Sequence, residues 1–428
     1  ILEKPDIVGA SCFTDRRAVV FEFLKALKKI NSKIINIIGG PHSSILPRQI
    51  MSNYDFIDFI VIGEGEQTFS ELIDCLITNK NFEKINGLCF RKKNEIIETQ
   101  KRQPIENLDE LPYPRYENFD DISVKFTHYD DRYLFKGRKI SALKTASIIT
   151  SRGCPFQCTY CSTSAYWGRK VRYRSAQNVV DEIEYLYKTH NVEFINIVDD
   201  AFTINKKRVL EICKLLIEKK IEICWICETN VKTIDAEMLE IMEKSGCFAI
   251  NYGVESGAPV ILKNIKKNIT QSEIINAINL ADKFGIIADI FLMVGNPGET
   301  NKTINETLAI LKETKVSSGG WGILTIFPGT ELYENCKKNN YINDDYWLSA
   351  KSSPFYLYEQ PYLKLSIFLT KIKLFFLRRN KKYKLWLRYY LLNLRDWIFL
   401  YTGIKLSFKK KIQLLFKDKR RYKQKSVL

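Results

Sequence analysis

Between residues 147 and 330, short apolar runs alternate with amphipathic stretches. The runs are SIITSRG (147–153), FINIVDD (194–200), EICWICETN (222–230), FAINYGVES (248–256), ADIFLMVG (288–295) and WGILTIFPGT (321–330). Between them lie SAQNVVDEIEYLYKTH, KKRVLEICKLLIEKK, DAEMLEIMEKSG, SEIINAINLADKFG and TINETLAILKET, whose apolar residues recur at helical spacing. Strands that are apolar on both faces belong to parallel sheets covered by helices. Six βα units in succession, at intervals of roughly 25–45 residues, predict a barrel or partial barrel. The chemistry of such barrels gathers at the carboxyl ends of the strands. Here those ends carry a cysteine loop, Asp199-Asp200, Glu228-Thr229-Asn230, Glu255-Ser256, Asn296-Pro297 and Phe327-Pro328.

A shorter alternation comes first. DIVGAS, KIINIIGG and FIDFIVIGEGE read as buried strands, and RRAVVFEFLKALKKI as an amphipathic helix, which together predict a parallel α/β module. Ligands bind such sheets outside the carboxyl ends of the strands. That makes Ser11, Thr14, Gly39, Gly40, His42, Gly63, Glu64 and Gly65 candidate ligand contacts, the glycines because they allow close backbone approach. The plain alternative is that they form tight strand-to-helix turns. Residues 80–140 lack periodicity, and Pro112 and Pro114 break any helix there; this stretch is expected to be a connector.

With 45% hydrophobic and 27% charged residues the chain is ordinary globular material. Its 11 scattered cysteines do not make a disulfide scaffold. Neither a signal peptide nor a run of about 18 apolar residues is present, so a reducing cytoplasm is the expected compartment. The text opens at Ile1 as if in mid-domain, and reads as a fragment lacking its N-terminal part. The net charge of +17 is local: residues 362–428 hold 20 Lys or Arg against Asp396 and Asp418, while the other 361 residues hold 46 basic and 47 acidic side chains. That basic tail has apolar and aromatic residues at helical spacing. It predicts helices that pack on the barrel, with contact to an anionic membrane surface as a second reading. Nothing in it resembles a nucleic-acid-binding module.

SRGCPFQCTYCSTS (151–164) places Cys154, Cys158 and Cys161 in one loop. A disulfide would use two thiols and does not suit a reducing compartment. A structural zinc wants four ligands, and no fourth Cys or His stands nearby. A complete ferredoxin cluster also wants four thiolates. A four-iron cluster on three cysteines leaves one iron open, as catalysis needs. Cys224 and Cys227 lie at i and i+3 of a strand and point to opposite faces. They are read as packing residues, as are Cys12, Cys75, Cys89, Cys213, Cys247 and Cys336.

The spacing Cys154-x3-Cys158-x2-Cys161 resembles the signature of radical S-adenosylmethionine enzymes. GVESG (253–257) is similar to that family's ESG element beside S-adenosylmethionine, FLMVGNPGET (291–300) to its fifth-strand G-x-PGET stretch, and IFPGTELY (326–333) to its sixth-strand PGT-x-L element. The resemblance covers about residues 141–340. It implies a [4Fe-4S] cluster on Cys154, Cys158 and Cys161 whose open iron chelates S-adenosylmethionine and whose electron cleaves it to a 5′-deoxyadenosyl radical. It also implies that Tyr160 packs against adenine and that Asp199 and Asp200 meet the methionine ammonium. Glu255 and Ser256 are implied to hydrogen-bond the ribose or the amino acid. Glu228, at the end of the third strand, joins them as a candidate contact. Helix capping is the plain alternative for these carboxylates. The sequence departs from many relatives in carrying Asn230 where they place an Arg.

PDIVGAS…GGPHSS…FIVIGEGEQTF resembles the cobalamin-binding domain that precedes this core in one large subfamily. A D-x-H-x-x-G loop is absent, as is a cobalt-ligating His in many members. The expected fold is α/β: a partial Rossmann-like (flavodoxin-like) cobalamin-binding domain (1–80), a connector (81–140), a (β/α)6 partial TIM barrel core (141–340) and a helical basic tail (341–428). The expected activity is cobalamin-dependent methyl transfer to an unactivated carbon of a small-molecule or lipid-like substrate. An external one-electron reductant would feed it, with no nucleic-acid partner. The protein would be cytoplasmic, with peripheral contact at the inner membrane surface as the second reading. Oxidative cyclisation or rearrangement is the alternative. A tRNA methylthiotransferase is disfavoured, because three further cysteines in the first domain and a β-rich tail are missing, and so is a zinc-holding structural protein.

Overall fold

The computed structural model describes residues 4–78, 80–118, 133–360 and 362–379. The basic tail beyond residue 379, with the membrane contact expected of it, lies outside the described residues. Residues 1–369 form one compact unit and 370–428 another; every candidate site residue belongs to the first.

The chain begins with β1 (Ile7–Ser11), α1 (Arg17–Ile30), β2 (Ile35–Gly39), the short helices α2 (Pro41–Ile45) and α3 (Pro47–Asn53), β3 (Phe59–Val61) and α4 (Gly65–Thr78). Strands β1, β2 and β3 pair in parallel in that order. Helix α1 turns Phe21, Leu24 and Leu27 onto the sheet, where they are buried with Ile38, Ile50 and Ile57. Each such side chain contributes roughly 1.5–3 kcal/mol. Part of the expected connector belongs to this sheet. β4 (Leu88–Lys92) and β5 (Glu95–Glu98) form a hairpin that pairs antiparallel with β3. Its turn is only Lys93-Asn94, with Lys93 in the left-handed region, and strands this short leave little periodicity to read.

A small hairpin, β6 (Leu134–Phe135) and β7 (Arg138–Lys139), leads into β8 (Thr145–Ile148). A two-stranded ribbon follows, β9 (Ser151–Arg152) against β10 (Arg172–Tyr173), with the short helix α5 (Thr163–Tyr166) in its loop. Then come α6 (Ala176–His190), β11 (Phe194–Ile197), α7 (Lys206–Glu218), β12 (Cys224–Thr229), α8 (Ala236–Lys244) and β13 (Cys247–Glu255). The last units are α9 (Pro259–Asn264), α10 (Gln271–Lys283), β14 (Ile287–Val294), α11 (Asn301–Lys312), β15 (Ser318–Ile323), α12 (Glu331–Lys338) and α13 (Tyr362–Arg379). Strands β8 and β11 to β15 pair in chain order, all in parallel. This is the expected six-unit open barrel.

Polar residues at the strand-to-helix turns start the helices. Ser175, Asn205, Asp235, Thr270, Thr300 and Thr330 each accept a hydrogen bond from a backbone N–H in the first turn of α6, α7, α8, α10, α11 and α12, worth about 1 kcal/mol apiece. Thr300 and Thr330 are the threonines of the PGET and PGT stretches, so those positions are caps. The sixth strand is SGGWGI (318–323), earlier than WGILTIFPGT implied. Beyond it Leu324 N–H still donates to the Val294 carbonyl of β14 at 2.8 Å, but Thr325 bridges to Phe355 and Ile326 N–H donates to the Pro354 carbonyl at 2.9 Å, so the apolar LTIF run leaves the sheet after Leu324. Cys224 and Cys227 are fully buried free thiols, as packing residues should be.

Candidate active site

The cysteine loop leaves the barrel on β9 and returns on β10. Gly153 has φ +98°, and a Cβ there would lie 2.4 Å from the Lys170 carbonyl oxygen. Only glycine lets the two arms of the ribbon close. Three backbone bonds fix the loop. Cys154 N–H donates to the Gly168 carbonyl at 3.3 Å, Thr159 N–H to the Ile265 carbonyl after α9 at 3.1 Å, and Leu332 N–H of α12 to the Thr159 carbonyl at 2.8 Å. The three thiols are free and partly exposed. Burial pushes the Cys154 thiol up to about 11, and the N–H of Phe156 offsets part of the rise. Burial raises Cys158 as well, against the opposing charge of Lys267. Among the described residues no three His, Cys, Asp or Glu converge as ligands of a single ion do. A four-iron cube gives each thiolate its own iron and needs no such convergence. The donor set fits that cluster and falls short of a tetrahedral zinc.

Adjacent aspartates have different fates. Asp199 is 1% exposed, and its carboxylate accepts from Thr150 N–H at 2.6 Å, Thr150 Oγ1 at 2.5 Å and Ser151 Oγ at 2.6 Å. It clamps the end of β8 where the cysteine loop begins. The expectation that it contacts the methionine ammonium is corrected. Asp200 is open to solvent and accepts a hydrogen bond from Thr163 Oγ1 at 2.7 Å. Crowding by protein and the charge of Asp199 raise its pKa against that bond. Ser256 is corrected too. It is 1% exposed, and its hydroxyl lies 3.2 Å from Thr307 Oγ1 and accepts from Ala258 N–H, which closes the turn after β13.

Glu255 has φ +64° at a register shift in β13, the kind of strained backbone that marks functional sites. Its carboxylate pairs with Lys267 at 3.3 Å, and burial, together with the charge of that carboxylate, raises the Tyr160 hydroxyl's pKa. The Tyr160 ring packs on Ala258, Ile261 and Ile265. Glu228, half-buried at the end of β12, is raised to about 7 by burial and by the charges of Asp200 and Glu255. Asp200, Glu228 and Glu255 thus form an acidic floor. Asn230 ends the same strand buried, its Nδ2 without a partner. Lys267 had no signal in the sequence, where it is one of two adjacent lysines.

The module's strand ends divide in the same way. His42 is fully buried; its Nδ1 lies 3.2 Å from Thr14 Oγ1, and burial, helped by the charge of Arg17, lowers its pKa to about 3. The Thr14–His42 pair therefore faces inward, which corrects both as ligand contacts. A Cβ at Gly40 would meet the Cys12 backbone at 3.1 Å, so that glycine serves the chain's own turn. Ser11 is exposed at the end of β1, Gly39 ends β2 in ordinary contact with Val61, and Gly65 opens α4. Gly63 has nothing within 4 Å of its would-be Cβ. Ser11, Gly39, Gly63 and Gly65 thus lie at strand ends of the module, with His42 turned away from them into the core.

Glu64 belongs to the junction between module and barrel, which corrects it as a ligand contact. It pairs with Arg152 of β9 at 2.8 Å and with Arg172 of β10, all three side chains 12% exposed or less. Burial alone would raise its pKa, but the two guanidinium groups hold it below the usual carboxylate value. Tyr166 Oη donates to the Gly63 carbonyl at 3.0 Å, and Arg152 stacks over Trp167 at 4.8 Å. On the other side Arg17 of α1, 1% exposed, donates to the carbonyls of Thr14, Trp347, Ser349 and Lys351. No motif announced either arginine cluster.

Sequence comparison agrees with this geometry. The profile of the Radical SAM superfamily matches residues 148–311, and that of the B12 binding domain matches 1–73. An uncharacterized methyltransferase of Pyrococcus horikoshii is 32% identical over 80% of this chain and 72% of its own length. The anaerobic magnesium-protoporphyrin IX monomethyl ester cyclase of Rubrivivax gelatinosus is 29% identical over 77% of this chain and 58% of its own. The structure of the radical S-adenosylmethionine methyltransferase TsrM from Kitasatospora setae, with cobalamin and a [4Fe-4S] cluster bound, shares the fold. It has a TM-score of 0.63 at 18% identity, covering 78% of this chain and 65% of its own. The chain belongs to the radical SAM superfamily, in the branch where a B12-binding domain precedes the core. Its cofactors are accordingly a [4Fe-4S] cluster, S-adenosylmethionine and cobalamin.

Proposed function

We propose that this chain performs cobalamin-dependent methyl transfer to an unactivated carbon of a small organic substrate. One observation carries the reading. The ion pairs of Glu64 with Arg152 and Arg172, and the bond from Tyr166 to Gly63, hold the open strand ends of the module against the base of the cysteine loop. A methyl carrier and a radical source must share one substrate, and a rigid junction between the module's strand ends and the cysteine loop supports that reading.

In this reading Cys154, Cys158 and Cys161 hold the cluster, and Ser11, Gly39, Gly63 and Gly65 border the cobalamin. When bound, these groups supply one-electron cleavage of S-adenosylmethionine and a transferable methyl group. The chain's own residues bind and orient. Asp200 offers negative charge to the ammonium of S-adenosylmethionine, with Glu228 and Glu255 beside it as further polar contacts, while the buried barrel strands exclude water. Residues 1–80 would form the cobalamin domain and 141–340 the radical core, with the β4–β5 hairpin completing the first sheet. All eleven cysteines are free, in keeping with a reducing compartment. A one-electron reductant is required, and peripheral membrane contact rests on the charge of the tail alone.

Full-length protein, reconstituted anaerobically with iron, sulfide and cobalamin, should convert S-adenosylmethionine and dithionite to 5′-deoxyadenosine and S-adenosylhomocysteine. Both should be quantified by mass spectrometry, and the former should vanish in Cys158→Ala. Oxidative cyclisation is the second reading, favoured by the similarity to the Rubrivivax cyclase. It predicts 5′-deoxyadenosine without S-adenosylhomocysteine. Absence of both products from iron-replete protein would refute either.

A further inference from the structure

Lys267 is a buried cation beside the cysteine loop, paired with Glu255 at the edge of the acidic floor. It is 8% exposed, in the turn between α9 and α10, flanked by Lys266 at φ +52° and Asn268 at φ +50°. Two left-handed residues on either side of one side chain cost conformational energy. The result is that Lys266 points outward to Glu331 at 2.8 Å, while Lys267 points in to Glu255 at 3.3 Å. The turn is tied to the cysteine loop, because Thr159 N–H, between Cys158 and Cys161, donates to the Ile265 carbonyl. Tyr160 packs on the same helix.

Gly253 of the GVESG stretch makes the arrangement possible. A Cβ there would lie 2.8 Å from Lys267 Nζ and 3.1 Å from Glu255 Oε1. Lys267 interacts electrostatically with the thiols of both Cys158 and Cys161. A buried ammonium held by one carboxylate, beside two cluster ligands, places fixed positive charge where the reduced cluster carries its extra electron. Net charge and local polarity around the sulfurs are what set such potentials.

We infer that Lys267 is a positioning residue that raises the reduction potential of the cluster, and that Glu255 sets the strength of the effect by partly neutralising it. The inference rests on the cluster reading of the loop. The low dielectric of a buried site lets one charge act strongly.

The test is a reductive titration of the anaerobically reconstituted full chain, followed by the electron paramagnetic resonance of the reduced cluster. Lys267→Met should move the midpoint to more negative potential and Lys267→Arg should restore it. Glu255→Gln, which leaves the ammonium uncompensated, should move it the other way. Opposite shifts distinguish an electrostatic role from simple loosening, which would move both variants alike. Unchanged midpoints, or shifts of the same sign, overturn the inference. If Lys267→Met fails to hold iron, the Glu255→Gln shift decides it. Parent protein that takes up no iron would instead defeat the cluster reading itself.

Discussion

Arg152 of the barrel holds Glu64 of the N-terminal module at 2.8 Å, two residues before the first cysteine of the loop. The residue that begins the cluster loop is therefore also the residue that fixes the module to it.

Glu64→Gln should destabilise the chain by about 3–5 kcal/mol at pH 7, because Arg152 and Arg172 would be left buried with an uncompensated charge. Urea unfolding of the full chain measures it. The sign with pH follows from the lowered pKa of Glu64 in the fold. Its contribution is complete above the unfolded value of 4.5 and is lost as the pH falls through the lower folded value. The variant should lack that acid-side loss. Equal midpoints for parent and variant at pH 7 would show that the junction is held elsewhere.

Asp199 and Asp200 should separate stability from binding. Asp199→Asn leaves an amide facing donors and should cost about 2–4 kcal/mol. Asp200→Asn should change stability by no more than about 0.5 kcal/mol and weaken S-adenosylmethionine binding roughly tenfold. Thermal unfolding and calorimetric titration of reconstituted protein test the pair. The reverse pattern would exchange their roles.

Gly153→Ala places a Cβ against the Lys170 carbonyl in a left-handed conformation. It should cost at least about 1–3 kcal/mol and abolish iron uptake, read as iron per chain after reconstitution. Gly137, also at positive φ but with nothing within 4 Å, is the control. Its alanine variant should lose about 1 kcal/mol and keep its iron. Full iron in Gly153→Ala would mean that the ribbon can open without harm to the site.

Glu228 is neutral in the fold up to about pH 7, against an unfolded value of 4.5. Between those limits the folded state binds the extra proton, so stability falls as the pH rises, by at most about 3 kcal/mol. Glu299, buried and likewise raised to about 7, adds to the same slope. Glu228→Gln should therefore flatten the slope in part and stabilise the cofactor-free chain above pH 7. Urea midpoints measured across pH 5–8 give the difference. An unchanged slope would place Glu228 in water.

The barrel was legible because most of its strands are apolar runs and its helices are amphipathic, a pattern set by neighbours in the chain; the glycine-rich sixth strand lacks that pattern and starts earlier than its apolar run implied. The cysteine loop was legible for the same reason, since its three thiols lie within eight residues. Side-chain direction was not legible. Asp199 and Asp200, or Glu255 and Ser256, are equivalent as letters at strand ends, yet one of each pair faces the floor and the other is consumed by Thr150 and Ser151, or by Thr307 and Ala258. His42 looked like a ligand and proved to be a core residue bonded to Thr14.

The sequence by itself determined the strand–helix alternation and the cluster loop, because hydrophobic periodicity and cysteine spacing act over a few residues. Tertiary structure alone decided which carboxylates remain free, that Lys267 lies beside the thiols, and that Glu64 joins the two domains. The physical reason is that burial and charge pairing are settled between residues far apart in the chain. Arg152 is 88 residues from its partner Glu64, and Arg17 is 330 from the Trp347 carbonyl it holds.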